Sequence, residues 1–442
     1  MKVAEVRIPL ARLIAVAFAL VAAAAILWLT RSYTFYFDEW DFIQSAPTWG
    51  SATYLEPHNE HLVLLPRLIY AALLSTVGLH SYLPYMLILV AMHLATAVLL
   101  FELVRRRAGE LIALAFTAMF LVVGAGWENL LWAFQISFVG SVACGLGLML
   151  ALENPSTPRK LLLAVVLLAA SLMFSAIGLF FGVAAAIRLV LDGSRRRELI
   201  WLVPVAIAFA AWYLAFGHSG KPSVPPGSAA YILVLPAYVA WGLAGSVGGI
   251  IGVTDAPAIA VVILASGALG FVWWRHRPDP LALGTAAGLI SFYVLIGLAR
   301  GQIGYDQSAS GRYVYIGAVF WLILIADAVK LLPWRGTWRP ALAACLFLAC
   351  FSSSVQLVEW AAAKSLLMQR EVADLQALAV ERTDPCLNPA GSADRLVMPQ
   401  VNKPALYYRA TDRYGDPVAG LPITDRTDFD NARRNLVRPD CS

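Results

Sequence analysis

Residues 35–42 read FYFDEWDF, so Asp38, Glu39 and Asp41 crowd together directly after a long apolar run. On a helix Asp38 and Asp41 share a face, and like charges at that spacing repel by a few tenths of a kcal/mol in water and more near lipid. A cation, an arginine or a raised pKa must compensate, and a carboxyl with a raised pKa is what a general base needs. The stretch EPHNEHL at 56–62 sets His58 and His61 three apart around Glu60. This is not the HExxH spacing and no third ligand is defined, so no metal site is assigned; the expected roles are substrate hydrogen bonding or capping of the helix that follows. GWENLLWAFQISF at 126–138 places the carboxylate of Glu128 between Trp127 and Trp132. ARGQIGYDQSASGRYVY at 299–315 flanks a glycine-rich loop with Arg300 and Arg312. Guanidinium groups bind phosphate bidentately, so this pair can hold a lipid phosphate, with pairing to Asp306 as the structural alternative. Tyr36 and Trp40 read as interfacial aromatics, His93 as a neutral packing histidine inside an apolar run, and Asp327 with Lys330 as a structural pair.

The elements that must position these residues are membrane helices. The chain has 442 residues, 60% hydrophobic and 14% charged, against about 25% charged in a soluble chain, and its mean hydropathy is +0.70. Apolar runs long enough to cross a bilayer recur from residue 10 to about 358, continuous rather than alternating, which predicts an all-α polytopic membrane protein and excludes a barrel. The net charge of +5 sits in short clusters between these runs, so it reads as a topology signal and no nucleic-acid partner is expected. Lys2, Arg7 and Arg12 precede a first run longer than a signal-peptide core, which predicts an uncleaved span with a cytoplasmic N-terminus in the plasma (inner) membrane.

Arg105, Arg106 and Arg107 mark the cytoplasmic side, so an even number of crossings must precede them. Of the runs 10–30, 62–79 and 82–104, the middle one is short and carries Pro66 and Arg67, which predicts an amphipathic helix on the outer surface. Residues 161–191 lie between two basic clusters and are too few for two ordinary spans, so two short helices meeting near FSAIGLFFG are expected, with Gly178 and Gly182 easing the bend. The stretch 229–252 reads as re-entrant or surface-lying, since its crossing would send Arg275 and Arg277 outside. In all, about eleven membrane helices are expected. They form a membrane domain, 1–358, followed by a small extracytoplasmic helix and cap, 359–442. If that tail is outside, Cys386 and Cys441 can pair, whereas Cys144, Cys345 and Cys350 are small core residues. With this threading the candidate site residues gather on the outer face.

The order of features resembles the GT-C glycosyltransferases that use polyprenyl-phosphate sugars, a group that includes the protein O-mannosyltransferases and the lipid A aminoarabinose transferases. The matching features are the acidic pair after the first span (Asp38, Glu39), an outer loop with surface helices, a second span ending in RRR (Arg105 to Arg107), a membrane hairpin, and a late SGRY (Ser310 to Tyr313). The resemblance implies a GT-C-like helical bundle and Asp38 as the catalytic base. It further implies that Glu39 or Asp41 assists and that Arg312 lies near the donor phosphate. Many members carry a large soluble domain where this chain has a small tail.

Residues and resemblance together predict inverting transfer of a sugar from a polyprenyl-phosphate donor to a glycan, lipid or protein hydroxyl on the extracytoplasmic face. Asp38, Glu39 and Asp41 are the catalytic candidates; His58, Glu60, His61, Glu128, Arg300, Arg312 and Tyr313 are the substrate-binding ones. A divalent cation, Mg²⁺ or Mn²⁺, between Asp38 and the phosphate is compatible with this scheme and is not required. A lipid-linked glycan transporter or flippase, and a polymerase or ligase using a lipid-diphosphate donor, are the competing expectations.

Overall fold

The structure, a computed structural model, describes residues 10–153, 157–220, 230–329 and 338–441. Lys330, named above, lies outside these ranges. The chain opens with α1 (Leu10–Leu29), the short acidic α2 (Asp38–Ser45), a hairpin of β1 (Pro57–His58) and β2 (His61–Leu62), and α3 (Leu64–Thr76). Next come α4 (Leu83–Ala108), α5 (Glu110–Leu121), the one-turn α6 (Glu128–Leu131), α7 (Ile136–Ala151), α8 (Pro158–Phe174), α9 (Gly178–Leu191) and α10 (Leu199–Ala215). The second half holds α11 (Ala230–Ile250), α12 (Asp255–Arg275), α13 (Pro280–Arg300), α14 (Gly311–Val329), α15 (Trp338–Glu381), α16 (Pro404–Tyr414) and α17 (Arg426–Leu436). The fold is all-α and polytopic: among the described residues, nine helices are long and apolar enough to cross a membrane.

The two ends of the bundle differ in charge chemistry. At one end the C-termini of α4, α7 and α9 and the start of α13 converge. There Arg107 pairs with Glu153 at 2.9 Å and with Asp279 at 3.3 Å, while Arg105 and Arg106 both reach Glu102 at 2.8 Å. Arg188 and Arg195 donate to the last carbonyls of α7, Met149 at 3.0 Å and Leu152 at 2.6 Å, where cations favour a helix C-terminus. At the opposite end lie Asp38, Glu60, Glu128, Arg300 and Arg312. The acidic and basic motifs thus separate along the bundle axis as the threading expects.

Helix α3 has thirteen residues, about 20 Å at 1.5 Å per residue, too short to span. Its buried face carries Arg67, Tyr70 and Leu74. Arg67, an oddity in an apolar run, donates to the carbonyls of Thr53 and Glu56 and so ties down the preceding loop. Helices α8 and α9 form the expected hairpin, turning at Ser175–Ile177. Gly178 serves a different purpose from the one expected: its backbone is ordinary helix, and a Cβ there would lie 2.7 Å from the Leu172 nitrogen and 2.8 Å from the Ser171 carbonyl carbon. It permits close approach of the two helices rather than an unusual bend.

Helix α11 is long enough to span, but its neighbours argue otherwise. A Cβ built on Gly297, near the Arg300 end of α13, would meet Leu235 and Tyr238 close to the start of α11, and one on Gly252, just past its end, would meet Ser352 of α15. Its two ends therefore lie on the acidic side, across the tips of α13 and α14, as expected for a surface-lying segment. Leaving α11 aside, eight long helices remain among the described residues, and the shorter apolar α5, α8 and α9 pack with them.

No break occurs at residue 358. Helix α15 runs for 44 residues out of the bundle and into the tail. The tail buries Phe429 and Leu436 on α17, which packs against α15, and Tyr407 against Trp40 of α2, so its core is continuous with that of the bundle. It is closed by a Cys386–Cys441 disulfide spanning 55 residues, with Asn388 N–H to Leu436 O at 2.7 Å and Arg438 N–H to Cys386 O at 2.9 Å alongside. It is also tied to the bundle, for Leu79 N–H donates to Tyr414 O at 2.8 Å. Replacing both Cys386 and Cys441 with Ser should destabilise the tail by about 2–4 kcal/mol, read as faster proteolysis after residue 382 with the membrane helices left intact.

Candidate active site

The acidic motif starts α2, where carboxylates in the first turn complement the helix dipole. The residue before it, Phe37, has φ 52°, a left-handed conformation costly for a large side chain and of the kind that accumulates at functional sites. The three acids then diverge. Glu39 is 0% exposed and points inward, accepting from Tyr70 O–H at 2.7 Å, Tyr82 O–H at 3.1 Å and Tyr36 N–H at 2.8 Å. Tyr82 in turn accepts from Ala133 N–H at 2.9 Å. Burial pushes the Glu39 carboxyl up to about 7 against the opposing pull of these donors. It ties α2 to α3, to Tyr82 ahead of α4 and, through Tyr82, to the 124–135 loop, and it points away from the face that carries Asp38 and Asp41.

Asp38 and Asp41 face outward on one side of α2, toward His58. The hairpin that delivers His58 turns through Asn59 and Glu60, with φ 46° and 68°, the double left-handed signature of a type I′ turn. One ligand atom from each of Asp38, Asp41 and His58 falls within 4.8 Å of the others. Two carboxylates and an imidazole suit a hard divalent cation completed by water. Crowding on its inner side raises the Asp41 carboxyl to about 6, with His58 opposing and Asp38 adding, although its outer edge is exposed.

Behind Asp38 lies a cationic pair. Arg312 Nε donates to Glu128 Oε2 at 2.7 Å, and its own carbonyl accepts from Asn129 Nδ2 at 2.9 Å. Lys364 of α15, 5% exposed, sets its ammonium 3.0 Å above the Tyr36 ring and 5.7 Å from Trp132. Arg312 lies 5.8 Å from the same indole and within electrostatic reach of Asp38. Tyr313 stands between this pair and a second one, feeling the charges of Arg312, Glu128, Arg300 and Glu60. In the second pair Arg300 approaches Glu60 at 3.7 Å.

Arg300, Glu60, His61 and Tyr313 form the polar head of a cavity of about 380 Å³ whose remaining walls are apolar, among them Phe138, Phe180 and Leu295. Burial pushes the Glu60 carboxyl up while Arg300 holds it down. The His61 imidazole is lowered to about 3, chiefly by burial and then by Arg300 and His58, so it stays neutral. Its buried Nδ1 has no hydrogen-bond partner.

No protein-family model matches the chain, and no curated protein does. A solved structure is similar: the crystal structure of ArnT from Cupriavidus metallidurans bound to undecaprenyl phosphate. It is 14% identical, with 95% of this chain and 77% of that chain covered and a TM-score of 0.49. At that score the likeness decides nothing about this site, which stands on its own residues.

Of the residues singled out in the sequence, Asp38, Asp41 and His58 come together, as do Glu128 with Arg312 and Glu60 with His61, Arg300 and Tyr313. Neither arginine takes Asp306, which is exposed. Trp40 is no interfacial aromatic: it is 0% exposed and donates to Glu371 Oε1 at 2.9 Å. His93 is the packing histidine expected, held between Tyr315 Oη at 3.0 Å and Leu121 O at 3.3 Å. Lys364 and Glu371 lie beyond the last apolar run, where run length no longer marks a residue; two charges on a helix continuous with a span are the signal the sequence offers.

Because folding raises the Glu39 pKa, the stability it contributes is fully present below its ordinary value of 4.5 and is lost as pH rises through about 7. Thermal unfolding should therefore shift down between those values, and Glu39→Gln should flatten that slope while keeping an acceptor for the tyrosines. Glu39→Leu should cost about 2–6 kcal/mol by orphaning two buried hydroxyls.

Proposed function

We propose that this chain is a membrane glycosyltransferase that moves a sugar from a polyprenyl-phosphate donor to an acceptor hydroxyl on the extracytoplasmic face of the plasma membrane. One observation carries the reading: a carboxylate presented by a strained turn, Asp38, lies within electrostatic reach of Arg312 at the acidic end of a helical bundle, with an apolar cavity headed by Arg300 at the same end. A lipid-linked phosphate needs that combination of greasy wall and cationic head. Its sugar must then meet a base.

In this scheme the lipid tail lies along Phe138, Phe180 and Leu295, and the phosphate meets Arg300, Arg312 and Lys364 around Tyr313. Asp38 accepts the acceptor's hydroxyl proton as that oxygen bonds to the anomeric carbon. The bond from that carbon to the phosphate oxygen breaks on the opposite side, its electron pair leaves with the lipid phosphate, and configuration inverts. The cations stabilise the growing phosphate charge where little water competes. Glu128 holds Arg312 in place, and Tyr36 with Trp132 shields Lys364. A divalent cation bound at Asp38, Asp41 and His58 would supply Lewis-acid stabilisation of the same charge.

The transporter alternative finds less support, since the ion pairs among Arg107, Glu153 and Asp279 occupy the opposite end of the bundle. A lipid-diphosphate donor is the second reading, favoured by the third cation, Lys364. Membranes carrying wild type or variant, supplied with both donor types and a panel of acceptors, separate these readings. Asp38→Asn should lower the turnover rate by about 10²- to 10⁴-fold with donor KM little changed; full activity in a folded Asp38→Asn chain would remove Asp38 as the base. Arg300→Ala and Lys364→Met should raise donor KM.

A further inference from the structure

The tail holds a cavity of its own, outside the centre described above. Its volume is about 270 Å³, and it lies between the upper part of α15, the segment at 393–394 and α17. Three carboxylates line it, those of Asp374, Asp394 and Asp428, with Arg370 and Arg434 as the cations. Arg370 shows how the rim meets a cation: its Nη2 lies 3.2 Å from Asp394 Oδ2 and its Nε 3.2 Å from Asp428 Oδ2. Arg434 donates instead to Asn431 Oδ1.

Asp374, one helical turn along α15 from Arg370, is left without either. It is 2% exposed and forms no hydrogen bond or ion pair among the described residues; its Oδ2 is enclosed with no donor in reach. The carboxyl opens on the cavity through its other oxygen. A carboxylate buried in this way needs a cation or a proton. The cavity beside it has room for the cation.

The walls show what kind of cation fits. A metal ion needs ligand atoms closer together than these: among the described residues, the group whose ligand atoms lie within 4.8 Å of one another is Asp38, Asp41 and His58. Carboxylates spread more widely suit N–H donors, which leave a cation in separate directions, as those of the Arg370 guanidinium do. Asn435 adds an acceptor, for its Nδ2 donates to Ala393 O at 2.8 Å and so orients the amide, with Oδ1 left over. Ala393 and Ala432 give the cavity a small apolar wall. N–H donors at one end and methylenes at the other describe a primary alkylammonium.

We propose that the tail cavity binds a small primary amine in its protonated form, the ammonium on Asp374 with Asp394 and Asp428 beside it, and the alkyl chain along Ala393 and Ala432. The site stands independently of the transferase reading. One ligand there joins α15, the Asp394 segment and α17, so the amine stabilises the tail by mass action.

The test is calorimetric titration of the purified full chain with n-propylammonium, tetramethylammonium and Ca²⁺ at matched ionic strength. The propyl cation should bind about tenfold or more tighter than tetramethylammonium, which has the same charge and no N–H to donate, and tighter than Ca²⁺. Asp374→Asn, close in volume and neutral, should weaken it by about tenfold or more. Asp430→Asn, outside the cavity and paired with Arg426 at 3.4 Å, should leave it unchanged. The thermal unfolding midpoint should rise with the amine in wild type and stay fixed in Asp374→Asn. No binding of n-propylammonium, equal binding of tetramethylammonium, tighter binding of Ca²⁺, or undiminished binding in Asp374→Asn overturns the proposal. The comparison of cations uses the wild-type chain, so it decides the question whether or not the Asn variant folds.

Discussion

A single buried carboxylate organises the acidic end of this protein. Glu39 gathers two tyrosine hydroxyls and a backbone amide from separate parts of the chain, and each would be costly to bury alone. Satisfying them together fixes the rotation of α2 about its axis. With Glu39 locked inward, Asp38 and Asp41 have only the outward face available. The neighbouring acids are thus a buried clamp and an outward-facing pair, and the first determines where the second points.

The other half of the centre is brought by α15. Its Lys364 reaches Tyr36 and its Glu371 accepts from Trp40, while Tyr33 donates to its Ala361 carbonyl at 2.8 Å. The segment after the first span and the segment after the last are therefore interlocked. Aromatic rings do much of the joining. Trp127 stacks on Trp360 with centroids 4.7 Å apart, so the loop bearing Glu128 is also held against α15.

Periodicity and charge made much of this legible in the sequence. The helical class, the surface-lying α3 and α11, the membrane hairpin and the separation of basic and acidic ends all follow from run length and arginine placement, which are local properties. The Cys386–Cys441 pairing was legible in the same way, as the two cysteines of a polar tail. The sequence did not disclose which way a side chain faces. Glu39 and Asp38 are adjacent and chemically alike, and only tyrosines some thirty and forty residues further on decide between them. The Asn59–Glu60 turn was hidden because neither residue is glycine, and Lys364 because the end of the apolar run was taken as the end of the membrane domain's influence.

Helix α15 has a mechanical consequence. Its 44 residues make a rod of about 66 Å, roughly twice the hydrocarbon thickness, embedded in lipid at its lower part and carrying Lys364 and Glu371 higher up. A rigid rod that tilts to match a thinner bilayer swings its upper section sideways. Here that section holds one cation of the centre and leads into the tail. Because Ala361, Lys364 and Glu371 are interlocked with Tyr33, Tyr36 and Trp40, a tilt of the rod would be carried into the segment that bears the α2 carboxylates rather than taken up between them.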